Sequence, residues 1–255
     1  GGYLGVEFFF IVTGIFLAEK VSRMRLSASD IRWSVTIDEL WREIIKRIKA
    51  YLPMLFISSL IAYVVRVATD REYVDRIFGI FNDLLGWSNY GLASPSITGI
   101  VWYLSAMLFA IWIIYPVLRR HFLIYAYYVS PVLILLIYGF LINAYGNLEV
   151  PNEFAFGILN TGFLRGIAGI SLGIFIHEIA VRISRISITK MMKCFLMFFE
   201  VSSFLVAIVF IFAWRKDLGR YDELAILCIS VGLIILYSQQ SPLYGRFDGK
   251  VTSFL

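Results

Sequence analysis

The chain has 255 residues, 60% of them hydrophobic and only 16% charged, with a mean hydropathy of +0.79. A soluble domain carries roughly 25% charged residues, so this composition excludes a soluble globular protein and points to a polytopic membrane protein. The net charge of +5 does not indicate nucleic acid, because the basic residues gather beside apolar spans, where Lys and Arg mark cytoplasmic loops.

A spanning helix needs about 20 mainly apolar residues. Seven stretches fit: 3–18, 51–67, 98–118, 121–142, 156–179, 193–213 and 222–238. The expected fold class is all-α, a polytopic bundle of about seven spans forming one membrane-embedded domain over 1–255. The first stretch, GVEFFFIVTGIFL (Gly5–Leu17), sets Glu7 among apolar residues, where an ionised carboxylate is costly unless it is paired, hydrated or close to the interface. Gly5, Thr13 and Gly14 in the same stretch allow close helix approach. Residues 36–50, TIDELWREIIKRIKA, repeat Ile37, Leu40, Trp41, Ile44, Ile45 and Ile48 at helical spacing. This predicts an amphipathic helix along the cytoplasmic interface, leading into Pro53 near the start of the second span. Its Lys46, Arg47 and Lys49 suit either lipid phosphates or the phosphates of a cytoplasmic donor. A second amphipathic run occupies 73–87.

Trp102 and Tyr103 open the third span, as an aromatic belt does. His121 follows Arg119 and Arg120 in a short loop and reads as solvated. Arg165 lies well inside the fifth span, where an arginine must pair, line water or snorkel; Glu7 is its most economical partner. Gly162, Gly166, Gly169 and Gly173 form a strip at three- and four-residue spacing, which reads as a helix-packing face. His177 and Glu178 end that span as an interfacial pair, and Cys194 and Cys228 read as small buried hydrophobes. Neither histidine has the companions a metal site needs, so no metal is expected. The chain enters an apolar span almost at Gly1 and closes on FDGKVTSFL, so both ends read as cut.

Loop charge sets the orientation. Sixteen basic residues fall in the loops after the first, third, fifth and seventh spans, against six in the alternate loops. The richer set is placed in the cytoplasm and the N-terminal glycines outside.

Four stretches, in order, carry a resemblance. GVEFFFIVTGIFL resembles the second-helix signature of the acyltransferase 3 family, integral-membrane enzymes that acylate extracytoplasmic sugars. Glu7 takes the acidic position and Thr13 the hydroxyl position before Gly14, while Ile15 stands where Phe is usual and Phe16 comes one residue late. KRIKAYLP (46–53) resembles the family's basic cytoplasmic segment, with Ala50 at its second Arg position and Lys49 beside it. WYLSAMLFAIWIIYPVL (102–118) resembles its Trp-Tyr/Phe-Leu helix, and FLRGIAGISLGIFIHE (163–178) its later Arg- and Gly-rich helix.

The resemblance implies acyl transfer, acetyl foremost, from acyl-CoA to a hydroxyl of a cell-surface polysaccharide or lipid-linked glycan, in a bacterial cytoplasmic (inner) membrane. Such a transfer needs a cationic dock for the donor, a base for the hydroxyl proton and donors for the oxyanion. On the family pattern Glu7 and Arg165 form the catalytic site and Thr13, Trp102 and Tyr103 meet substrate. Arg47, Lys46 and Lys49 hold acetyl-CoA or another acyl-CoA. The pattern also implies a general-base histidine on a preceding helix and a last pair of helices beyond the end, neither of which these residues hold. The partners expected are membrane lipids and a glycan acceptor, with no nucleic acid. Two alternatives stand beside this reading: a glycan exporter, because intramembrane Glu and Arg with Gly-rich helices also mark solute pathways, and an inactive fragment of the family.

Overall fold

In lipid every backbone N–H and C=O must be paired within the chain, which long apolar runs achieve as helices. The computed structural model of the chain describes residues 3–25, 32–69, 77, 80, 102–149, 153–155, 159–213 and 221–241. Among these are seven helices: α1 (Tyr3–Arg25), α2 (Trp33–Thr69), α3 (Trp102–Arg120), α4 (Phe122–Tyr145), α5 (Thr161–Ser184), α6 (Lys190–Ala213) and α7 (Asp222–Tyr237). The only sheet among them is a two-stranded antiparallel ladder, β1 (Phe154–Ala155) with β2 (Leu159–Asn160), pairing Phe154 with Asn160 and Ala155 with Leu159. The seven expected spans each correspond to one helix. Five of them, α2 to α6, are long and apolar enough to cross a membrane. The amphipathic run at 73–87 lies outside the described residues apart from Ile77 and Ile80.

Two boundaries differ from expectation. The interfacial helix and the second span are one continuous 37-residue helix, α2, with Pro53 in its interior rather than near a start. Proline removes only the bond to the carbonyl of Lys49, and its exposed position gives the ring room. At 1.5 Å per residue α2 is about 55 Å long, well beyond a hydrocarbon core of about 30 Å, so its first half must run outside that core. The fifth span begins later than expected, at Thr161. The strand pair precedes it, Asn160 Oδ1 accepts the Gly162 N–H at 2.8 Å, and Thr161 Oγ1 donates to the Glu153 carbonyl at 3.1 Å.

The chain divides into two compact units. The first comprises 1–24, 122–149 and 168–255, and so holds α1, α4, most of α5, α6 and α7. Here α1 meets α5 backbone to backbone: a methyl at Gly14 would strike the Ile170 carbonyl, and one at Gly173 would strike the Ile11 carbonyl. The glycine strip is therefore a packing face, as its spacing indicates. Gly5 plays no such part, since a methyl there meets open space. Asp222, fully buried at the head of α7, ties the unit together by accepting from the Tyr3 hydroxyl (2.7 Å) and the Leu148 N–H (2.9 Å). At the other end, Gln240 Nε2 donates to the Ser184 and Ile186 carbonyls, each at 3.0 Å, closing the end of α5.

Helix α4 contains a π turn over Tyr125–Val129. It lies just before Pro131, whose ring collides with the carbonyl four residues earlier in a regular α-helix; widening the turn relieves that collision. The turn aims Tyr125 at Ser171 (Oη to Oγ, 2.8 Å) and Tyr127 at Glu178 (2.8 Å), both on α5. The helix stops at Gly146, which adopts φ +77° while its N–H donates to the Ile142 carbonyl.

The second unit, 25–121 with 150–167, holds α2, α3, the strand pair and the first turns of α5. Glu39 accepts from Arg119 Nε at 2.8 Å and Nη2 at 3.3 Å, and from the Tyr115 hydroxyl at 3.2 Å. Arg47 Nη1 approaches Met107 Sδ at 3.9 Å, so α2 and α3 run antiparallel. The amphipathic stripe splits between two faces: Leu40 and Ile44 are buried with Thr36 and Glu43, whereas Ile37, Trp41, Ile45 and Ile48 face outward, as a helix lying against lipid requires.

Candidate functional site

In the first unit Glu7 is fully buried, so it is not a carboxylate bathed in outer water. The Tyr138 hydroxyl of α4 donates to its Oε2 at 2.6 Å. A methyl on Gly169 would strike Phe10 Cβ at 2.6 Å and lie 3.4 Å from that oxygen, so the missing side chain at 169 lets α1 approach α5 beside the carboxylate. Thr13, two turns further along α1, is also buried. Tyr138 is the residue that sequence reasoning missed. A tyrosine in LLIYGFL reads as one more aromatic of a span, and only its hydroxyl, placed among aliphatic neighbours, hints at a buried polar partner.

In the second unit Arg165 is fully buried, which removes the snorkelling alternative. Its guanidinium lies over the Trp102 ring at 4.9 Å, a cation–π contact whose strength grows when water is excluded. Three matched positions seat α3 on α5 around it: Trp102 beside Gly162, the Ala106 carbonyl beside Gly166, and Phe109 stacked on Phe163 at 4.5 Å. Trp102 and Arg165, sixty-odd residues apart in the chain, are thus brought together, while Tyr103 next to Trp102 is half-buried. Glu7 belongs to one unit and Arg165 to the other.

The basic segment is less uniform than its sequence suggests. Arg47 is tied by Nε to Glu43 Oε1 at 2.8 Å, and both side chains are largely buried. Lys46 and Lys49 project outward. The two lysines are therefore the accessible cations of the segment, and Arg47 is a braced one. His121 is exposed, as expected. His177 is buried, its Nδ1 3.4 Å from Glu178 Oε1, and Arg182 lies over the Tyr127 ring that bonds the same carboxylate. Cys194 is exposed and Cys228 half-buried, so neither is the fully buried hydrophobe expected. Glu200, halfway along α6, is a further charged residue buried within a span. Among the described residues no three His, Cys, Asp or Glu side chains gather as metal ligands would.

A buried acidic residue on α1, a basic segment on α2 and a tryptophan on α3 that meets a buried arginine on α5 follow the order of the four stretches read from the sequence. The acyltransferase 3 family, described as an acyltransferase domain, matches residues 1–255. The chain belongs to that family. It is accordingly an integral-membrane acyltransferase. No curated protein and no solved structure matches the chain. Within this acyltransferase all four motif stretches fall in described helices, α1, α2, α3 and α5.

Proposed function

We propose that this acyltransferase moves an acyl group, acetyl foremost, from acyl-CoA to a hydroxyl of a cell-surface polysaccharide or lipid-linked glycan. The observation that carries the reading is Glu7: a carboxylate with no exposed surface, held by Tyr138 where α1 packs on α5 at Gly169, at the family's acidic position. A carboxylate kept inside a membrane protein at such cost has a task. In the reaction the acceptor oxygen attacks the thioester carbonyl, the C–S bond breaks, and the thiolate leaves, taking a proton as free CoA. Glu7 orients the base or holds the acceptor hydroxyl, and Arg165 offsets charge on the oxyanion. Thr13, Trp102 and Tyr103 contact substrate. The base is the histidine that the family pattern places on a preceding helix.

Lys46 and Lys49 meet the donor's phosphates, while Arg47, fixed by Glu43, sets their spacing as well as adding charge. The loop charges support a cytoplasmic donor and an outer N-terminus, in a bacterial inner membrane. Lipids and the glycan acceptor are the partners. The test is transfer from radiolabelled acetyl-CoA to envelope glycan, in membranes carrying the gene product with and without its flanking sequence. Label in the glycan is expected, with loss in Glu7→Gln and in Arg165→Ala. Unlabelled glycan from every form, with glycan nonetheless moved across the membrane, would transfer the assignment to export.

A further inference from the structure

Outside the residues used above, the first unit contains a cavity of about 520 Å³ between the end of α4 and the start of α7. It is lined by Gly139, Ile142, Asn143, Gly146 and Glu223. Its size falls within the range of small-molecule sites, roughly 300–1,000 Å³, but its wall is mainly polar. Such a lining, at the end of the spanning helix α4 and the start of α7, is costly to leave facing lipid and suits a hydrated ligand.

Each lining residue has a definite chemistry. Glu223 is an exposed carboxylate in the first turn of α7, an acceptor for two neighbouring hydroxyls. The Asn143 amide is exposed one turn beyond Gly139 and both donates and accepts. Gly146 ends α4 with φ +77°, and a methyl at either Gly139 or Gly146 meets nothing within 4 Å, so the two glycines bare the helix backbone toward open space. Beside them Asp222 is already committed, both carboxylate oxygens accepting hydrogen bonds from Tyr3 and Leu148. It fixes the start of α7, and with it Glu223, without competing for a ligand.

A carboxylate, a carboxamide and bare backbone, with one aliphatic side chain, match a neutral polyhydroxyl compound. Adjacent ring hydroxyls supply paired donors for Glu223, hydroxyl oxygens accept from Asn143, and a ring edge rests on Ile142. Anions are disfavoured by Glu223 and Asp222. We infer that this cavity is a sugar subsite, binding one residue of the glycan acceptor at the outer end of the first unit. The inference rests on the acyl-transfer reading for the identity of the acceptor, and on loop charge for the side it faces.

The experiment uses the purified chain in nanodiscs and, as probe, a tritium-labelled oligosaccharide released by mild acid from the host's envelope polysaccharide. Binding is measured without acyl-CoA, and acetyl transfer is measured separately in membranes. Saturable binding is expected in the unaltered chain. Gly139→Leu fills the cavity from a position where its first carbon touches nothing, and leucine favours a helix more than glycine does; it should abolish binding. Glu223→Gln, nearly isosteric, should weaken binding about tenfold, as loss of one charge-assisted hydrogen bond does. Both variants should keep the unaltered elution profile and melting temperature. Unchanged oligosaccharide binding in both, or no binding by the unaltered chain, overturns the subsite. If acetyl transfer to glycan persists in either case, the acyl-transfer reading stands without it; if transfer is also missing, both fall.

Discussion

At the scale of single residues, the informative positions are charges in places where lipid or protein should exclude them. Glu7 and Arg165 were legible in the sequence for that reason, each being an ionisable group within an apolar run. Their immediate partners were less legible. Trp102 reads as belt and Tyr138 as span, because composition does not reveal which hydroxyl or ring will meet a charge 131 or 63 positions away. The structure makes the Glu7 prediction specific. Tyr138→Phe removes a 2.6 Å donor from a buried carboxylate, and should lower stability by about 1–3 kcal/mol while leaving less transfer activity than its residual fold would allow. Thermal unfolding in detergent, set against acetyl transfer per folded molecule, separates the two effects. Arg165→Ala should abolish transfer yet leave membrane insertion intact, by fractionation. Arg165→Lys should not rescue it, since a lysine lacks the planar face that stacks on Trp102.

At the scale of elements, helix packing follows the glycines. The strip from Gly162 to Gly173 was evident from spacing alone, but its division of labour was not: Gly162 and Gly166 admit α3, whereas Gly169 and Gly173 admit α1. Gly173→Val would drive a branched side chain into the Ile11 carbonyl, at a cost of about 3 kcal/mol or more. It should lower the melting temperature more than Gly5→Val, where space is open. The pairing of α2 with α3 was hidden for another reason. Glu39 and Arg119 are 80 residues apart, and each looks like an ordinary loop-side charge. Arg119→Ala should leave Glu39 without its bidentate partner, and a loss of about 2–4 kcal/mol is expected. Arg119→Ala with Glu39→Gln should recover part of that loss, measurable by a double-mutant cycle. For the donor, Lys46→Ala with Lys49→Ala should raise KM for acyl-CoA with little change in kcat, because the outward lysines, not the braced Arg47, meet the solvent.

At the scale of the whole molecule, the count of helices and their apolar lengths came from composition, whereas continuity did not. Pro53 looked like a boundary and is not one, because a helix tolerates one missing hydrogen bond where the ring points outward. Orientation is a matter of charge asymmetry, and it can be tested directly. In a background with Cys194→Ser and Cys228→Ser, a thiol placed by His121→Cys should react with a membrane-impermeant maleimide only after lysis. One placed by Glu153→Cys should react in intact cells. The opposite pattern would invert the topology and put the Lys46 and Lys49 segment on the wrong side for a cytoplasmic donor.

The π turn at Tyr125–Val129 works like one extra tooth in a gear. Every side chain of α4 beyond it is advanced by one residue relative to a regular helix, about 100° of rotation. Tyr138, which reaches Glu7, and Gly139, which opens the cavity beside Glu223, both lie downstream of that step. Were the segment to wind as plain α-helix with every residue kept, the Tyr138 hydroxyl would swing away from Glu7, whereas excising the outward-facing Tyr128 would remove the wide turn and its extra residue together and leave the Tyr138–Glu7 bond in place. The Tyr138–Glu7 bond and the cavity beside Glu223 thus share one timing mark, set by a proline nearly two turns ahead of Tyr138.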